Sequence, residues 1–466
     1  MGTRDRVALI FVIAAVVVTA GLGSMVAYQF AHPPVVRTSV AMAVPGTTGG
    51  PVTGADGGDA AALPPTGSSG APGGIGGAAT APGGGRGGAA AGAVTLPHAQ
   101  PVAAEAGATL PGGDITVGGI FEETGPVDAS VGRDTVRAYF DEVNAAGGVN
   151  GHHLRLVDCD SAFDPTRGHQ CSERLASAGV LAIVGWLSPS SEQTEAQYLT
   201  QRGIPIFGGL GIGAEFSSPL SFPVGINLGR AVELYCAHAA ELGVRAPAVV
   251  IINTPFTSPS ASLFTDALHR HGIHEKSVDF VDATKPDYTD LAVKIRLEGA
   301  DSIMAGLDPF SYARFFQALD RQNFHPLFMG VGLDKKSAEK QYGPAVYGAE
   351  SGTAVLEPDE HMDLPAIREY YSAIQRYFPA EVDDLDVWSE QTWVSARVFV
   401  EALRRIGPAP VTARSLVDAA NRIRNFETGL TVPLSYSPGS HDPNHCMQWI
   451  RNQHGTWHTY SGWNCL

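Results

Sequence analysis

Asp114-Ile-Thr-Val-Gly-Gly-Ile120, then Thr124-Gly-Pro126, then Asn144-Ala-Ala-Gly-Gly-Val-Asn-Gly151 running into Leu154-Arg-Leu-Val-Asp158 are the stretches that decide the fold. A β-rich run too short for a helix, 115–120, precedes residues 131–146, where Val136, Phe140 and Val143 recur at 3–4 spacing on one helical face. A second short run follows at 154–158. Strand, amphipathic helix, strand signals parallel pairing, because a chain re-entering a sheet in the same direction needs a crossover. The rhythm continues with strands expected at 182–185 and 204–207. A second set is expected at 248–252, 277–281, 302–305 and 327–329. Asp164 before Pro165 reads as an N-cap followed by proline at the first helical position. Two parallel α/β sheets in succession predict two lobes. The tail differs: 364–377, 387–405 and 413–421 read as helices, and 430–434 with 447–450 as a closing hairpin. Repeated returns of the chain between lobes would make a hinge rather than a loose linker.

Ahead of residue 114 the composition changes. Residues 7–31 carry no charged side chain; as a helix they would cover about 37 Å, enough to cross a bilayer. Arg4 and Arg6 flank this run on its N-terminal side, which keeps residues 1–6 in the cytoplasm as a short tail and sends the rest outside. The expectation is a single-pass signal anchor in the cell membrane, N-in, with the folded part extracytoplasmic. The alternative is a secreted protein after signal cleavage at the small-x-small triplet Ala41-Met42-Ala43. Residues 32–113, densest in Gly, Ala and Pro from Pro45 to Gly113, hold too little apolar surface to offset chain entropy and read as a disordered linker. As a flexible coil it would span on the order of 45 Å.

Lys and Arg total 31 against 47 Asp and Glu, a net charge of −16, and no basic run occurs. Nucleic acid is excluded as an expected partner.

From 114 to about 465 the chain resembles the type I periplasmic binding proteins of the branched-chain amino-acid class, the Leu/Ile/Val-binding family that serves ABC importers. The markers are the stretches quoted above, Ile183-Val-Gly185 before a Ser-rich loop, and Asp442-Pro-Asn444 ahead of the last strand. The resemblance implies a two-lobed α/β clamp, each lobe a mostly parallel sheet flanked by helices. Lobe 1 would comprise 114–229 plus 357–425, and lobe 2 would comprise 230–356 plus 426–466. The ligand would sit between them, beyond the carboxyl ends of the strands.

The first candidate contact is the loop Trp186-Leu-Ser-Pro-Ser-Ser191, where Ser190 and Gln193 are spaced as a capping box. Unpaired N–H groups at that helix start, with the hydroxyls of Ser190 and Ser191, would suit a ligand carboxylate. A helix cap and nothing more is the plainer reading. Next, 204–207 runs into Gly208-Gly-Leu-Gly-Ile-Gly213, where the backbone at Gly209, Leu210 and Gly211 could approach a ligand. The G-x-G-x-G spacing, with no acidic residue about 20 positions on, argues against a dinucleotide loop. In lobe 2 the resemblance implies an aromatic wall, for which Phe256 is the candidate, against the plainer reading of a packed loop aromatic. It also implies an anion for a ligand ammonium where this chain has Gly332. Asp308 or Asp334 could substitute, although each also reads as a solvated loop carboxylate. This departure puts an α-amino acid in doubt, since the family also binds amides, urea-like molecules and aromatic acids.

Five cysteines in an extracytoplasmic domain predict two disulfides and one thiol. Cys159 and Cys171 flank a short loop and Cys446 and Cys465 the final hairpin, so these are the expected pairs, with Cys236 a buried free thiol. His269, His271, His274, His441 and His445 read as surface residues rather than a metal site. There is no nucleophile elbow, P-loop, H-E-x-x-H or paired Cys-x-x-Cys motif. The expectation is a binding protein with no cofactor that captures a small polar ligand by hinge closure and docks on a membrane permease. A sensing ectodomain that reports to a separate membrane partner and a hydrolase on the same scaffold are the alternatives.

Overall fold

The computed structural model describes residues 113–125, 128–211, 213–253 and 257–466. The expected tail, membrane span and all but the last residue of the linker lie outside them. Among the described residues no helix is long and apolar enough to cross a membrane.

Five parallel strands form the first sheet: β1 Ile115–Phe121, β2 Leu154–Asp160, β3 Ile183–Val184, β4 Ile206–Phe207 and β5 Ser221–Phe222, in the order β2-β1-β3-β4-β5. The last of these is too short to leave a pattern in the sequence. Side chains alternate across the sheet as a period of two requires. Ile115, Val117 and Phe121 enter one core with Val136, Phe140 and Phe399. Ile120 enters another, with Leu175, Trp186 and Leu199. Helices Ser130–Ala145 and Val387–Ile406 cover the first face, and Pro165–Ser177 and Glu192–Gln201 the second. Asp164 caps Pro165–Ser177 as expected, accepting the N–H groups of Thr166 and Arg167 at 2.7 and 3.2 Å.

The second sheet contains β6 Ala248–Ile252, β7 Ser277–Val281, β8 Ser302–Gly306, β9 Leu327–Gly330, β10 Glu350–Thr353, β11 Cys446–Gln453 and β12 Thr456–Thr459. They run in the order β12-β11-β10-β9-β8-β6-β7, with β13 Asn464–Cys465 paired to β11. Strands β6 to β10 pair in parallel, and β11 joins β10 and β12 in antiparallel register. Along β6, Ala248 and Val250 face one core, with Tyr288, Phe315 and Phe316, while Val249 and Ile251 face the other, with Tyr235 and Trp449.

The closing hairpin is β11–β12, not 430–434 with 447–450. His454 and Gly455 both take positive φ, 56° and 97°, as a tight two-residue hairpin turn requires. Residues 430–434 make a single bridge, Phe426 to Leu434, because Pro433 has no N–H to give a ladder. The third return of the chain also comes later than residue 425. Leu430, Leu434 and Tyr436 still pack in the first sheet's core. The three crossings then run side by side: Ile226 bridges Asn444, and the Asn444 amide donates to the carbonyls of Val224 and Ala354 at 3.4 and 3.0 Å.

Both disulfides form, Cys159–Cys171 and Cys446–Cys465, with sequence separations of 12 and 19 residues. Cys236 is a buried free thiol. Closing loops of this size restricts the unfolded chain by about 3 kcal/mol each. Dithiothreitol should therefore lower the urea midpoint clearly and steepen the slope, because the freed unfolded chain exposes more surface. An unchanged midpoint would show that the bridges constrain little.

Candidate functional site

The carboxyl ends of β1, β3 and β4 converge on three glutamates, each fully buried. Glu122 follows β1, and its Oε1 accepts the N–H of Ser190 at 3.1 Å and the hydroxyl of Ser188 at 3.3 Å. Its Oε2 has no hydrogen-bond partner. Burial lifts this carboxyl to about 7, with the nearby Glu192 adding to the rise and the Ser190 and Ser188 bonds opposing it. Glu192 opens the helix Glu192–Gln201 and joins two loops: Oε1 accepts from Ser188 N–H at 3.0 Å and Oε2 from Leu210 N–H at 2.9 Å. Glu215 accepts Gly211 N–H at 3.1 Å and is hydrogen-bonded to Glu192. Two carboxyl groups so bonded must share a proton, and burial raises the Glu192 carboxyl.

This arrangement corrects the sequence reading of the loop. The N–H groups of Ser188, Ser190, Leu210 and Gly211 are taken by the chain's own carboxylates rather than left open. Ser191, not Ser190, is the N-cap, and its side chain caps nothing. The hydroxyls of Ser190 and Ser191 instead join Ser188, whose Oγ lies 3.4 and 2.6 Å away, and Ser161 completes the cluster at 2.9 Å. Trp186 is fully buried in the core with Leu175 and Leu199, so it packs rather than offers a face to a ligand. The glycines are close-approach positions, but protein rather than ligand makes the approach. A Cβ on Gly209 (φ +110°) would stand 1.9 Å from Glu215 Oε1, and one on Gly211 (φ +87°) 2.4 Å from the Ile226 carbonyl. The Gly209 carbonyl accepts from the Gln391 side-chain amide.

On the second lobe, Asp308 is a buried N-cap rather than a solvated loop residue. It accepts Ser311 N–H at 2.9 Å, and its Oδ2 is unpaired. Asp334 is also buried with an unpaired Oδ2, and burial, with the Asp386 carboxylate next, pushes it up to about 7. Phe256 lies outside the described residues. Gly332 (φ +74°) is covered by the Trp388 ring, whose Cζ2 would be 2.6 Å from a Cβ there. Beside it, Lys335 Nζ meets Asp386 Oδ2 at 2.7 Å with both side chains buried. Asp386 in turn caps Val387–Ile406 through Ser389 N–H at 2.9 Å, so the pair ties the loop after β9 to a helix of the first lobe. The loop thus brings a cation of its own to the region where an anion was sought.

Glu122, Glu192, Lys335 and Trp388 were missed from sequence. Charged loop residues are ordinarily solvated, and a glutamate at a helix start reads as a complement to the helix dipole. Asp386 with Ser389 three residues on carried a capping signal. Among the described residues no group of three His, Cys, Asp or Glu side chains could hold a metal ion. A surface cavity of about 450 Å³ lined by Met362, Tyr371 and Gln375 lies apart from these groups.

Two mostly parallel α/β lobes joined by three adjacent crossings define the fold class of this chain. Residues 114–455 match the family model described as periplasmic binding protein, and the chain belongs to that family. The Leu/Ile/Val-binding protein homolog 3 of Brucella melitensis is 24% identical over 335 residues, 70% of this chain and 87% of the relative. Two solved structures share the fold at a TM-score of 0.68. One is a branched-chain amino acid ABC transporter protein from Thermus thermophilus with bound valine (16% identity, 76% of this chain and 97% of that one). The other is a fatty acid ABC transporter substrate-binding protein from Thermomonospora curvata (19% identity, 76% and 94%). The relatives are solute-binding proteins, and this chain is a binding protein rather than an enzyme.

Proposed function

We propose that the chain is an extracytoplasmic receptor that captures a small polar solute between its lobes and passes it to the permease of an ABC importer. The observation that carries this reading is the set of three adjacent crossings held through Asn444, which lets the lobes rotate without separating. The solute shifts an open–closed balance by binding both lobes in the closed form. The candidate lining comprises Glu122 with the loop at Ser190 and Ser191 and, from the second lobe, Phe256, Asp308 and Asp334. Lobe 1 takes 114–229 with the return from 357, and lobe 2 takes 230–356 with the C-terminal strands. Residues 7–31 anchor the chain and 32–113 tether it, which suits capture at a distance from the bilayer.

Native mass spectrometry of the full chain, purified in mild detergent without denaturation, should show a stoichiometric small-molecule adduct. Thermal-shift screening of amino acids, amides and aromatic acids should single out one class. Absence of both an adduct and a shift would overturn high-affinity solute capture.

A further inference from the structure

Four backbone N–H groups, those of Ser188, Ser190, Leu210 and Gly211, lie in the two loops beyond β3 and β4. All four are consumed by Glu122, Glu192 and Glu215. A ligand carboxylate arriving here would find its donors already bonded. It would also meet a fully buried carboxyl, Glu122, that spends one oxygen on Ser190 and Ser188 and leaves Oε2 unpaired. Leaving a buried polar oxygen unpaired costs free energy, and a ligand that donates to it recovers that cost. An acceptor where a donor was expected inverts the polarity of the site.

We propose that Glu122 is the specificity residue of the first lobe: it stands in the place of a ligand carboxylate and selects a solute that has none and that donates a hydrogen bond, of the amide or amine class. This rests on the solute-binding reading and names the chemistry of that same cleft. Glu192 and Glu215 support the selection by withdrawing the Leu210 and Gly211 N–H groups. Nothing covalent occurs; with the carboxyl ionised, on the alkaline side of neutrality, the discrimination comes from an unpaired acceptor that a donor satisfies and a carboxylate repels.

The matched pair leucine and leucinamide, which differ at the carboxyl group, tests this by titration calorimetry on the full chain at about pH 8, where the Glu122 carboxyl is ionised. Phenylalanine and its amide serve as a second pair. The wild-type chain should bind the amides at least tenfold more tightly than the acids. Glu122→Ala, which frees the Ser190 N–H, should bring the two within about threefold or reverse the order. Glu122→Gln, which keeps the shape and the acceptor for Ser190, should fold as the wild type does and retain exclusion only in part. Acids binding the wild type as tightly as amides would overturn the selection while leaving solute capture intact. So would a ratio unmoved in Glu122→Ala. Should neither pair bind any of the three proteins, the class of a co-purified adduct decides: a carboxylate-bearing one overturns the selection, and an amide or amine supports it. No adduct at all overturns the solute-binding reading, and the selection with it.

Discussion

Lys335→Met should destabilise the folded chain by about 3 to 5 kcal/mol, because it strands a buried carboxylate. Asp386 is buried, and Lys335 Nζ at 2.7 Å is its only ion-pair partner among the described residues. The cost comes less from losing the attraction than from leaving a negative charge in a medium that solvates it poorly. The companion change Asp386→Asn separates these effects. Asparagine can still accept Ser389 N–H and cap Val387–Ile406, yet it carries no charge. Lys335→Met with Asp386→Asn should therefore recover most of the loss in urea unfolding. Since the pair ties the loop after β9 to a helix of the first lobe, the single variant should also scatter X-rays with a larger radius of gyration. A single variant within about 0.5 kcal/mol of wild type would mean that Asp386 is solvated in solution.

Acidification should stabilise this protein over a range where many proteins change little. The Glu122 carboxyl titrates at about 7 when folded against a reference of 4.5, and Asp334 at about 7 against 3.8. Glu192, Glu357 and Glu390 are raised in the same direction by burial. A carboxyl whose folded value is raised holds its proton in the folded state and gives it up on unfolding. Its contribution is full below the unfolded value and is lost as pH rises through the folded one. For Glu122, fully buried, the loss between pH 5 and pH 8 is roughly 2 to 3 kcal/mol. Lowered carboxyls such as Asp160, Glu233 and Glu360 act in the opposite sense and weaken the fold as pH falls through their folded values. Stability should thus peak near pH 5 and decline toward pH 8. Urea midpoints across that range would show the slope, and Glu122→Gln should flatten it by removing one titration. A midpoint level from pH 5 to pH 8 would contradict the buried, protonated glutamates.

Local pattern determined the architecture of this chain. The alternation in 115–158 fixed parallel pairing, since β-branched runs of five to seven residues and 3–4 apolar spacing leave few other ways to bury both. Cysteine placement determined the disulfides, because each pair brackets one short loop. The sequence also marked the Ser-rich turn and the glycine turn as the places where two strands end. What it could not determine is which groups those turns serve. A serine N–H at a helix start is open to a ligand only if nothing else reaches it, and Glu122 arrives from 68 residues away in the chain. The same holds for Lys335 and Asp386, 51 residues apart and from different lobes. The third crossing moved past residue 425 because Leu430 and Tyr436 find their core only in the folded first lobe. Hydrophobic period is a local property carried by neighbouring residues. The partner of a buried charge is chosen by three-dimensional proximity, and that exists only once both lobes have formed.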